Sequence, residues 1–341
     1  MKTFATAGAP HLRAAASVRR VMADVLLALL PGVAVHVWVF GPGLLLQIAL
    51  AAGFALLLEA ALLRLRGQPV RAGLEDLSAL VTALLFALCI PPLCPWWTSA
   101  LGMLAALGLA KHAYGGLGAN LFNPAMVGYA VVLVAFPREL SQWIGAGLTP
   151  PDLATAAAAI FSGQLPQHWD TLASATPLDA LRQATTAQRT LAEIRSQPVF
   201  GHAGAAGWEL VALAYALGGL YLLWRRVIGW QVPAGVILTV LLLTGAAWLF
   251  DAERNPPPLQ HLLGGGLMLT AWFVAADPVT GCTSPRGRLL FGAGVAVLAL
   301  ALRRWGVHAD GVAFAVLLMN AAAPLIDAFT RPRIYGHGRH D

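Results

Sequence analysis

Long runs of apolar residues alternate with short polar segments along most of the 341 residues of this chain. A run of about twenty apolar residues is long enough to cross the hydrocarbon core of a bilayer as a helix. We predict about ten such spans, at roughly 21–40, 43–63, 74–91, 95–113, 122–137, 208–228, 231–250, 259–276, 287–305 and 311–329. The pattern therefore indicates an all-α polytopic membrane protein.

The third and eighth predicted spans are short, and each ends in a proline-bearing turn. The turns read "CIPPLCP" and "ADPVTGCTSP". Proline cannot donate a backbone hydrogen bond, so a helix that stops there leaves carbonyl groups without partners. Such breaks occur at membrane depth only where protein or a water-filled cavity receives the freed groups. We therefore predict broken helices at these two places.

A long polar stretch separates the first five predicted spans from the last five. It divides the chain into a first membrane half (1–137), a loop (138–207) and a second membrane half (208–341). The fifth span of each half holds an asparagine followed by a proline, in "LFNPAMVGYA" and "LLMNAAAPLID". We interpret this as a weak internal repeat of five spans. Chance similarity between apolar sequences is the alternative.

The composition excludes a water-soluble globule. Hydrophobic residues make up 58% of the chain, charged residues 11%, and the mean hydropathy is +0.69. A soluble domain carries about 25% charged residues. The net charge of +6 comes from scattered arginines between apolar runs, which is typical of membrane topology signals and not of nucleic-acid binding. The three cysteines and nine histidines show no metal-ligand spacing, so we predict neither a metal site nor catalytic residues.

The basic residues predict the orientation of the chain. In a ten-span topology most of them fall on one side, which the positive-inside rule makes cytoplasmic. They are Arg13, Arg19, Arg20, Arg64, Arg66, Arg71, Lys111, Arg225, Arg226, Arg286, Arg288, Arg331, Arg333 and Arg339. Arg303 and Arg304 are exceptions. Both termini are then cytoplasmic, and residues 138–207 lie outside.

The loop contains "DTLASATPLD", from Asp170 to Asp179. Thr176 as N-cap, Pro177 at the first helical position and Asp179 at the third form the start of a helix. This capping role alone explains the residues. A hydroxyl at a helix N-terminus also lies where backbone N–H groups and the helix dipole favour a phosphate. Thr176 can therefore be a cap and a phosphoester anchor together.

This stretch resembles the flavin-attachment motif of the D subunit of Rnf complexes and of the homologous B subunit of sodium-pumping NADH:quinone oxidoreductase. The resemblance implies FMN joined through its phosphate to Thr176, with Asp170, Ser174 and Ala175 completing the motif and Asp179 following it. Ser174 stands where many attachment sites have glycine. Long blocks in the same order extend the resemblance over essentially the whole chain, among them "KHAYGGLGANLFNPAMVGYAVVLVAFP" and "ADPVTGCTSPRGRLLFGAG".

The resemblance implies a membrane electron carrier in a complex that couples electron flow between ferredoxin and NAD to movement of Na⁺ or H⁺. It implies as partners the other subunits of the complex, a second flavin-bearing subunit among them, and a flavin transferase for maturation. It also implies the bacterial inner membrane, a periplasmic loop and a non-covalent riboflavin that no motif places. The chain alone is expected to have no independent catalysis.

A small-solute channel or transporter is the rival function. The fold of the family resembles that of urea channels, and broken helices within a five-plus-five repeat fit a transporter as well. The polar loop discriminates between the two functions, because a channel has no use for a flavin-attachment motif.

Acidic residues near membrane spans are functional candidates by default. They are Asp24, Glu59, Asp76, Asp277 and Asp327. We favour Asp277 for an ion pathway because it precedes Pro278 at a predicted break, where freed carbonyls and the hydroxyls of nearby threonines can receive a cation. The alternative is an ion pair with Arg286 or Arg288. Asp327 is the second ion-pathway candidate, or it closes the last span near the interface.

The glycine-rich stretch from Gly115 to Tyr129 follows an apolar span and lacks the spacing of a nucleotide-binding loop. We predict that Asn123 and Pro124 cap the fifth span. We expect the glycines to allow tight helix packing.

Overall fold

The structure is a computed structural model that describes residues 17–165, 169–187, 189–194, 197–201, 204–308 and 310–330. In the first half the elements are α1 (Val18–Phe40), α2 (Gly43–Leu65), α3 (Val70–Glu75), α4 (Ser78–Ala87), α5 (Trp96–Met103), which continues as a π-helix (Leu104–His112), and α6 (Pro124–Ala135).

The loop forms α7 (Pro137–Leu140), β1 (Trp143–Ile144), α8 (Leu153–Ser162), α9 (Trp169–Leu172), β2 (Ala173–Ser174), α10 (Pro177–Thr186), α11 (Leu191–Ile194) and a 3₁₀ turn (Pro198–Phe200). The second half forms α12 (Trp208–Trp224), α13 (Gln231–Phe250), α14 (Pro258–Leu263), α15 (Leu267–Leu269), which continues as a π-helix (Thr270–Val274), α16 (Pro285–Trp305) and α17 (Val312–Thr330).

Helix occupies each of the ten predicted spans, so the predicted all-α membrane fold is confirmed. In the part of the chain that the structure describes, five helices are long and apolar enough to cross a membrane: α1, α2, α13, α16 and α17. Three shorter apolar helices, α4, α6 and α12, lie in further predicted spans. This is a multi-pass membrane protein.

The third and eighth spans are interrupted, as the proline turns predicted. Helix α4 ends at Ala87, before the two prolines of its turn. The eighth span is also broken at a place that the sequence pattern did not predict, because residues 264–266 separate α14 from α15. Gly265 has a φ of +74°, and a Cβ there would overlap the Asp310 carboxylate and the Leu178 side chain. Only glycine fits this close approach without strain.

Helices α1 and α12 run antiparallel against each other at the centre. Phe40 at the end of α1 contacts Trp208 at the start of α12, with ring centroids 4.9 Å apart. At the opposite end, Arg225 Nη2 lies 3.2 Å from Asp24 Oδ2. Helices α6 and α17 also meet, where the Asn123 backbone N–H donates to Asn320 Oδ1 over 3.1 Å. The division into two halves stays a prediction.

The glycine-rich stretch differs from its prediction in part. Asn123 does cap α6, because its side chain accepts from the Met126 N–H, and Pro124 opens the helix. Gly115, Gly116 and Gly118 have positive φ angles in a turn between helices and therefore serve backbone conformation. Gly128 in α6 does allow the tight helix packing that we expected, because a Cβ there would overlap the Gly102 carbonyl of α5.

The orientation of the chain can be tested with two exposed positions at opposite ends of the membrane helices. We expect single cysteines replacing Thr186 in the loop and Arg71 in α3 to react oppositely with a membrane-impermeant thiol reagent in intact cells. The positive-inside rule places Thr186 outside and Arg71 inside. The background lacks Cys89, Cys94 and Cys282, which are buried or half-buried. Equal labelling of the two positions would contradict the predicted topology.

Candidate flavin-attachment site

Thr176 lies at the N-terminus of α10 with its hydroxyl in a closed pair of hydrogen bonds. Its Oγ1 accepts the Asp179 backbone N–H over 3.2 Å and donates to Asp179 Oδ2 over 2.6 Å. Pro177 occupies the first helical position. The predicted helix cap is therefore confirmed, and Asp179 is in contact with the hydroxyl that the sequence singled out. The helix ends at Thr186.

The residues before Thr176 are fixed by a two-stranded antiparallel sheet. Ser174 pairs with Trp143 and Ala173 with Ile144. Among the described residues, the Ser174 hydroxyl donates only to the Ala175 carbonyl, over 3.2 Å, and Ala175 is exposed. The predicted attachment motif thus lies at a strand end, immediately before a helix. Asp170 belongs to α9, but its side chain lies outside the described residues.

An ion pair joins α16 and Asp310 to the break in the eighth span. Arg303 Nη2 lies 3.0 Å from Asp310 Oδ1, and the other Asp310 oxygen accepts the Gly266 N–H over 2.6 Å. Arg303 also donates to the carbonyls of His261 and Gly264. This clamp was not predicted from the sequence. The only indication of it in the sequence was that Arg303 does not lie on the predicted cytoplasmic side with most of the other basic residues.

A cavity opens beside Thr176 and extends into the membrane part. It encloses about 1020 Å³, its open mouth included, and Thr176 and Asp179 lie on its wall. Residues of α1, α6, α12, the broken eighth span and α17 form much of the remaining wall, together with residues of α7, β1 and the turn after α4. We call it the inner cavity. His308 also lines it, and burial together with the nearby Arg182 guanidinium lowers the pKa of that imidazole, which favours its neutral form.

Two buried polar side chains line the inner cavity without a hydrogen-bond partner among the described residues. They are His36 on α1, through both ring nitrogens, and Tyr215 on α12, through its hydroxyl. Aromatic rings surround the imidazole, with the centroid of Phe40 at 4.9 Å, that of Trp208 at 6.0 Å and that of Trp143 at 6.2 Å. The wall of the cavity is therefore aromatic with isolated polar groups.

A second cavity lies at the opposite end of the membrane helices. Its volume is about 850 Å³ with its open mouth included, and Asn120, Lys111, Trp272 and Asp277 are on its wall. The side-chain oxygen of Asn120 and the indole nitrogen of Trp272 are buried there without a partner among the described residues. This distal cavity thus also combines apolar walls with unsatisfied polar atoms.

The two ion-pathway candidates support opposite ends of one turn. Asp277 accepts from the Val279 N–H over 3.0 Å and from the Thr280 hydroxyl over 3.1 Å. Asp327 accepts from the N–H and the hydroxyl of Thr283, over 3.0 Å each. Arg288 donates to the Cys282 carbonyl. Within the part of the chain that the structure describes, Asp277 forms no salt bridge with either arginine suggested for it.

Glu59 is the centre of a buried charged cluster near the distal cavity. Lys111 Nζ lies 2.7 Å from Glu59 Oε1, and His112 Nε2 lies 3.0 Å from Glu59 Oε2. Arg66 contacts the other ring nitrogen of His112, and Lys111 donates to Ser78 Oγ. The interpretation of Lys111 as a topology signal misses its burial, because its side chain is only 3% exposed.

No group of three or more histidine, cysteine, aspartate or glutamate side chains is placed to hold a metal ion within the described ranges.

Comparison with known proteins covers nearly the whole chain. A model of the NQR2, RnfD, RnfE family matches residues 5–336. The proteins named as the D subunit of the ion-translocating oxidoreductase complex in Salmonella typhi, Salmonella typhimurium and Citrobacter koseri are each 44% identical to it. Each alignment covers 98% of this chain and 99% of the relative.

Proposed function

The chain belongs to the NQR2, RnfD, RnfE family, and on this premise we propose that it is the flavin-bearing membrane subunit of an ion-translocating oxidoreductase complex. In this proposal the complex passes electrons between ferredoxin and NAD and moves Na⁺ or H⁺ across the bacterial inner membrane. Its partners are the other subunits, a second flavin-bearing subunit among them, and a flavin transferase. The observation that carries the proposal is the Thr176 hydroxyl, which caps a helix at the mouth of a large cavity.

The residues around Thr176 fit a phosphoester-linked FMN. The hydroxyl is half-buried at the N-terminus of a ten-residue helix, where backbone N–H groups and the helix dipole favour a phosphate. The adjoining inner cavity leads from this hydroxyl into the membrane part, and the rest of the cofactor would lie along it. FMN would supply the redox chemistry, while the protein supplies position and electrostatics.

Asp179 has different effects before and after attachment. Before attachment its carboxylate accepts the Thr176 hydroxyl proton in a hydrogen bond, which orients the oxygen for reaction. After esterification the threonine oxygen carries no proton, so this hydrogen bond is lost. A phosphate there is an additional negative charge beside the carboxylate, which opposes it. We therefore assign Asp179 to positioning of the hydroxyl during maturation.

Mass spectrometry of the intact chain tests the proposal. The chain is purified after co-production with a flavin transferase and again without it. We expect the first sample to be heavier by the mass of FMN minus water, and fragmentation should place the addition on Thr176. An unmodified chain from both samples would contradict the proposal. It would favour the small-solute channel, which the two cavities at opposite ends of the helices also suit.

We also propose that a non-covalent riboflavin occupies the distal cavity. Its walls are apolar, and the unpartnered atoms of Asn120 and Trp272 offer one acceptor and one donor to a ring system with polar edges. We expect acid denaturation to release riboflavin into solution while FMN stays with the chain. Replacement of Asn120 by leucine should reduce the released riboflavin and leave the covalent FMN unchanged. Unchanged release would remove the distal cavity as its site.

The proposed role of Asp277 in ion movement is tested by Asp277→Asn. The asparagine oxygen still accepts from the Val279 N–H, and its amide N–H can donate to the Thr280 hydroxyl oxygen, so the turn is kept while the negative charge is lost. We expect an assembled, flavin-containing complex that has lost most of its ion-coupled electron transfer, most clearly at limiting Na⁺ if Na⁺ is the ion.

The matched control for this experiment is Asp152→Asn. Asp152 caps α8 in the loop and accepts the Thr155 N–H over 3.0 Å. The same substitution there should leave coupling intact. Normal coupling in a fully assembled Asp277→Asn complex would exclude this carboxylate from the pathway. The same measurement on Asp327→Asn separates the two candidates.

A further inference from the structure

Two cavities adjoin the attachment motif, and a flavin ring tethered at Thr176 can enter only one of them. Thr176 and Asp179 line the inner cavity. Ser174 and Ala175 line a second cavity on the loop side, which is bounded by Leu148 and encloses about 1270 Å³ with its open mouth. We call this the outer cavity. The first would bury the ring in the membrane part, and the second would leave it among loop residues.

The wall of the outer cavity offers no unpartnered buried polar atom to a ligand, as far as the structure describes it. Among the described residues, no buried side-chain nitrogen or oxygen on its wall lacks a hydrogen-bond partner. The Ser174 hydroxyl on its wall already donates to the Ala175 carbonyl. Its remaining polar side chains include Gln183 and Arg189, which are exposed to water.

The wall of the inner cavity, in contrast, does contain buried polar side chains without a hydrogen-bond partner. His36 is 1% exposed and Tyr215 is 4% exposed, and neither side chain has a hydrogen-bond partner among the described residues. Burial of a polar group without a partner is costly, so native proteins satisfy such groups with protein, water or a ligand. Both side chains line the cavity that begins at Thr176.

The packing of α1 and α12 holds these two side chains in place. The Tyr215 ring lies directly against Gly32 on α1, where any Cβ would overlap it. Gly32 precedes His36 by four residues, so both positions are on the same face of α1. The imidazole is fixed by contacts with Phe40, Trp143 and Trp208. The two polar groups are therefore preorganised beside aromatic surfaces.

The chemistry of the pair matches one edge of a flavin. The pyrimidine edge of the isoalloxazine ring carries two carbonyl acceptors, one N–H donor and a redox-active ring nitrogen. A neutral imidazole offers one donor and one acceptor, and a phenol hydroxyl can do both. We propose that the ring of the Thr176-linked flavin lies in the inner cavity, with His36 and Tyr215 hydrogen-bonded to its polar edge. This inference rests on the proposed flavin at Thr176.

The environment of the ring tests this placement in the full chain after co-production with the flavin transferase. Subtracting the spectrum of Thr176→Val isolates the contribution of the tethered flavin. We expect the visible absorption band of the oxidised flavin to show the resolved shoulders typical of an apolar environment. A featureless band like that of FMN in water, on a chain whose mass shows covalent FMN, would overturn the placement and leave the proposed function standing.

Two variants test the roles of the side chains by spectroelectrochemical titration. Tyr215→Phe keeps the ring on Gly32 and removes only the hydroxyl. We expect full flavin attachment and a midpoint potential shifted downward, because the reduced ring loses a hydrogen-bond donor. Tyr221→Phe is the matched control. It makes the same change on the same helix at the opposite end, where the Tyr221 hydroxyl donates to Asp24. This control should leave the potential unchanged.

His36→Leu should shift the potential as Tyr215→Phe does, and His36→Gln, which keeps a donor and an acceptor, should shift it less. Unshifted potentials in both Tyr215→Phe and His36→Leu would overturn the assignment of these residues. Absence of covalent FMN from the parent chain is a different outcome, because it contradicts the proposed function and this inference together.

Discussion

We expect replacement of Thr176 by valine to remove the proposed covalent flavin completely. Valine has nearly the shape of threonine but carries no oxygen that can form the phosphoester. The gel band of the chain, produced with a flavin transferase and denatured, should lose its fluorescence under ultraviolet light. The change also removes the side-chain cap of α10, which costs about 0.5–2 kcal/mol of stability.

Two further variants separate loss of chemistry from loss of the cap. Asparagine caps a helix as well as threonine does but forms no phosphoester, so Thr176→Asn should stay folded and also lack fluorescence. Ser174→Ala should only weaken the fluorescence, because the Ser174 hydroxyl donates to the neighbouring carbonyl and does not contact Thr176 in the structure. Fluorescence that persists in Thr176→Val would move the anchor elsewhere, with Thr171 the next candidate.

Most of the membrane architecture could be predicted from hydrophobicity alone. The termini of the predicted second, seventh and tenth spans lie within two residues of those of α2, α13 and α17. In lipid the backbone N–H and C=O groups must form their hydrogen bonds within the protein. A long apolar run therefore has few structures available to it besides a helix. The break at residues 264–266 was missed. It depends on a contact of Gly265 with Leu178 and Asp310, which are distant in sequence.

The sequence predicted the part of the site whose residues are neighbours in the chain. It did not predict the part whose residues are distant in the chain. The cap formed by Thr176, Pro177 and Asp179 involves residues within one helical turn, so sequence spacing was enough. His36 and Tyr215 are separated by most of the first half and the whole loop. Only the close packing of α1 on α12 brings them to one cavity. No sequence pattern marks a side chain as buried without a partner.

The burial of Lys111 is a second feature that the sequence pattern could not predict, because it depends on a residue distant in the chain. By sequence it is one more basic residue beside an apolar run, and such residues normally face the cytoplasm. Glu59 lies 52 positions earlier, and nothing in the spacing connects the two. The π-helix that ends at His112 places Lys111 and His112 on either oxygen of the Glu59 carboxylate. A residue predicted to be a topology signal is therefore a member of a buried ion pair.

Replacement of Glu59 by glutamine should severely destabilise the protein. It removes the negative charge that balances the buried Lys111 ammonium and leaves only neutral acceptors, the glutamine amide oxygen and the Ser78 hydroxyl. Removal of one member of a buried pair costs about 3–5 kcal/mol, because an uncompensated charge stays out of water. We expect most of the detergent-solubilised Glu59→Gln chain to lose its monodisperse elution peak and its thermal midpoint to fall well below that of the parent. Lys111→Met should behave similarly, since it leaves the carboxylate with His112 alone.

The double variant Glu59→Gln with Lys111→Met decides between a structural and a charge-carrying role. Both charges are then absent, and glutamine can still contact His112, so stability should return close to that of the parent. Glu75→Gln in the exposed Arg71–Glu75 pair is the control and should change the midpoint little, because side chains 91% and 49% exposed are already solvated. If the double variant is as unstable as the single ones, the ion pair is not the source of the loss. If it is stable and assembled but the complex no longer couples ions to electron flow, the buried pair is part of the ion pathway, which a structural pair would not be.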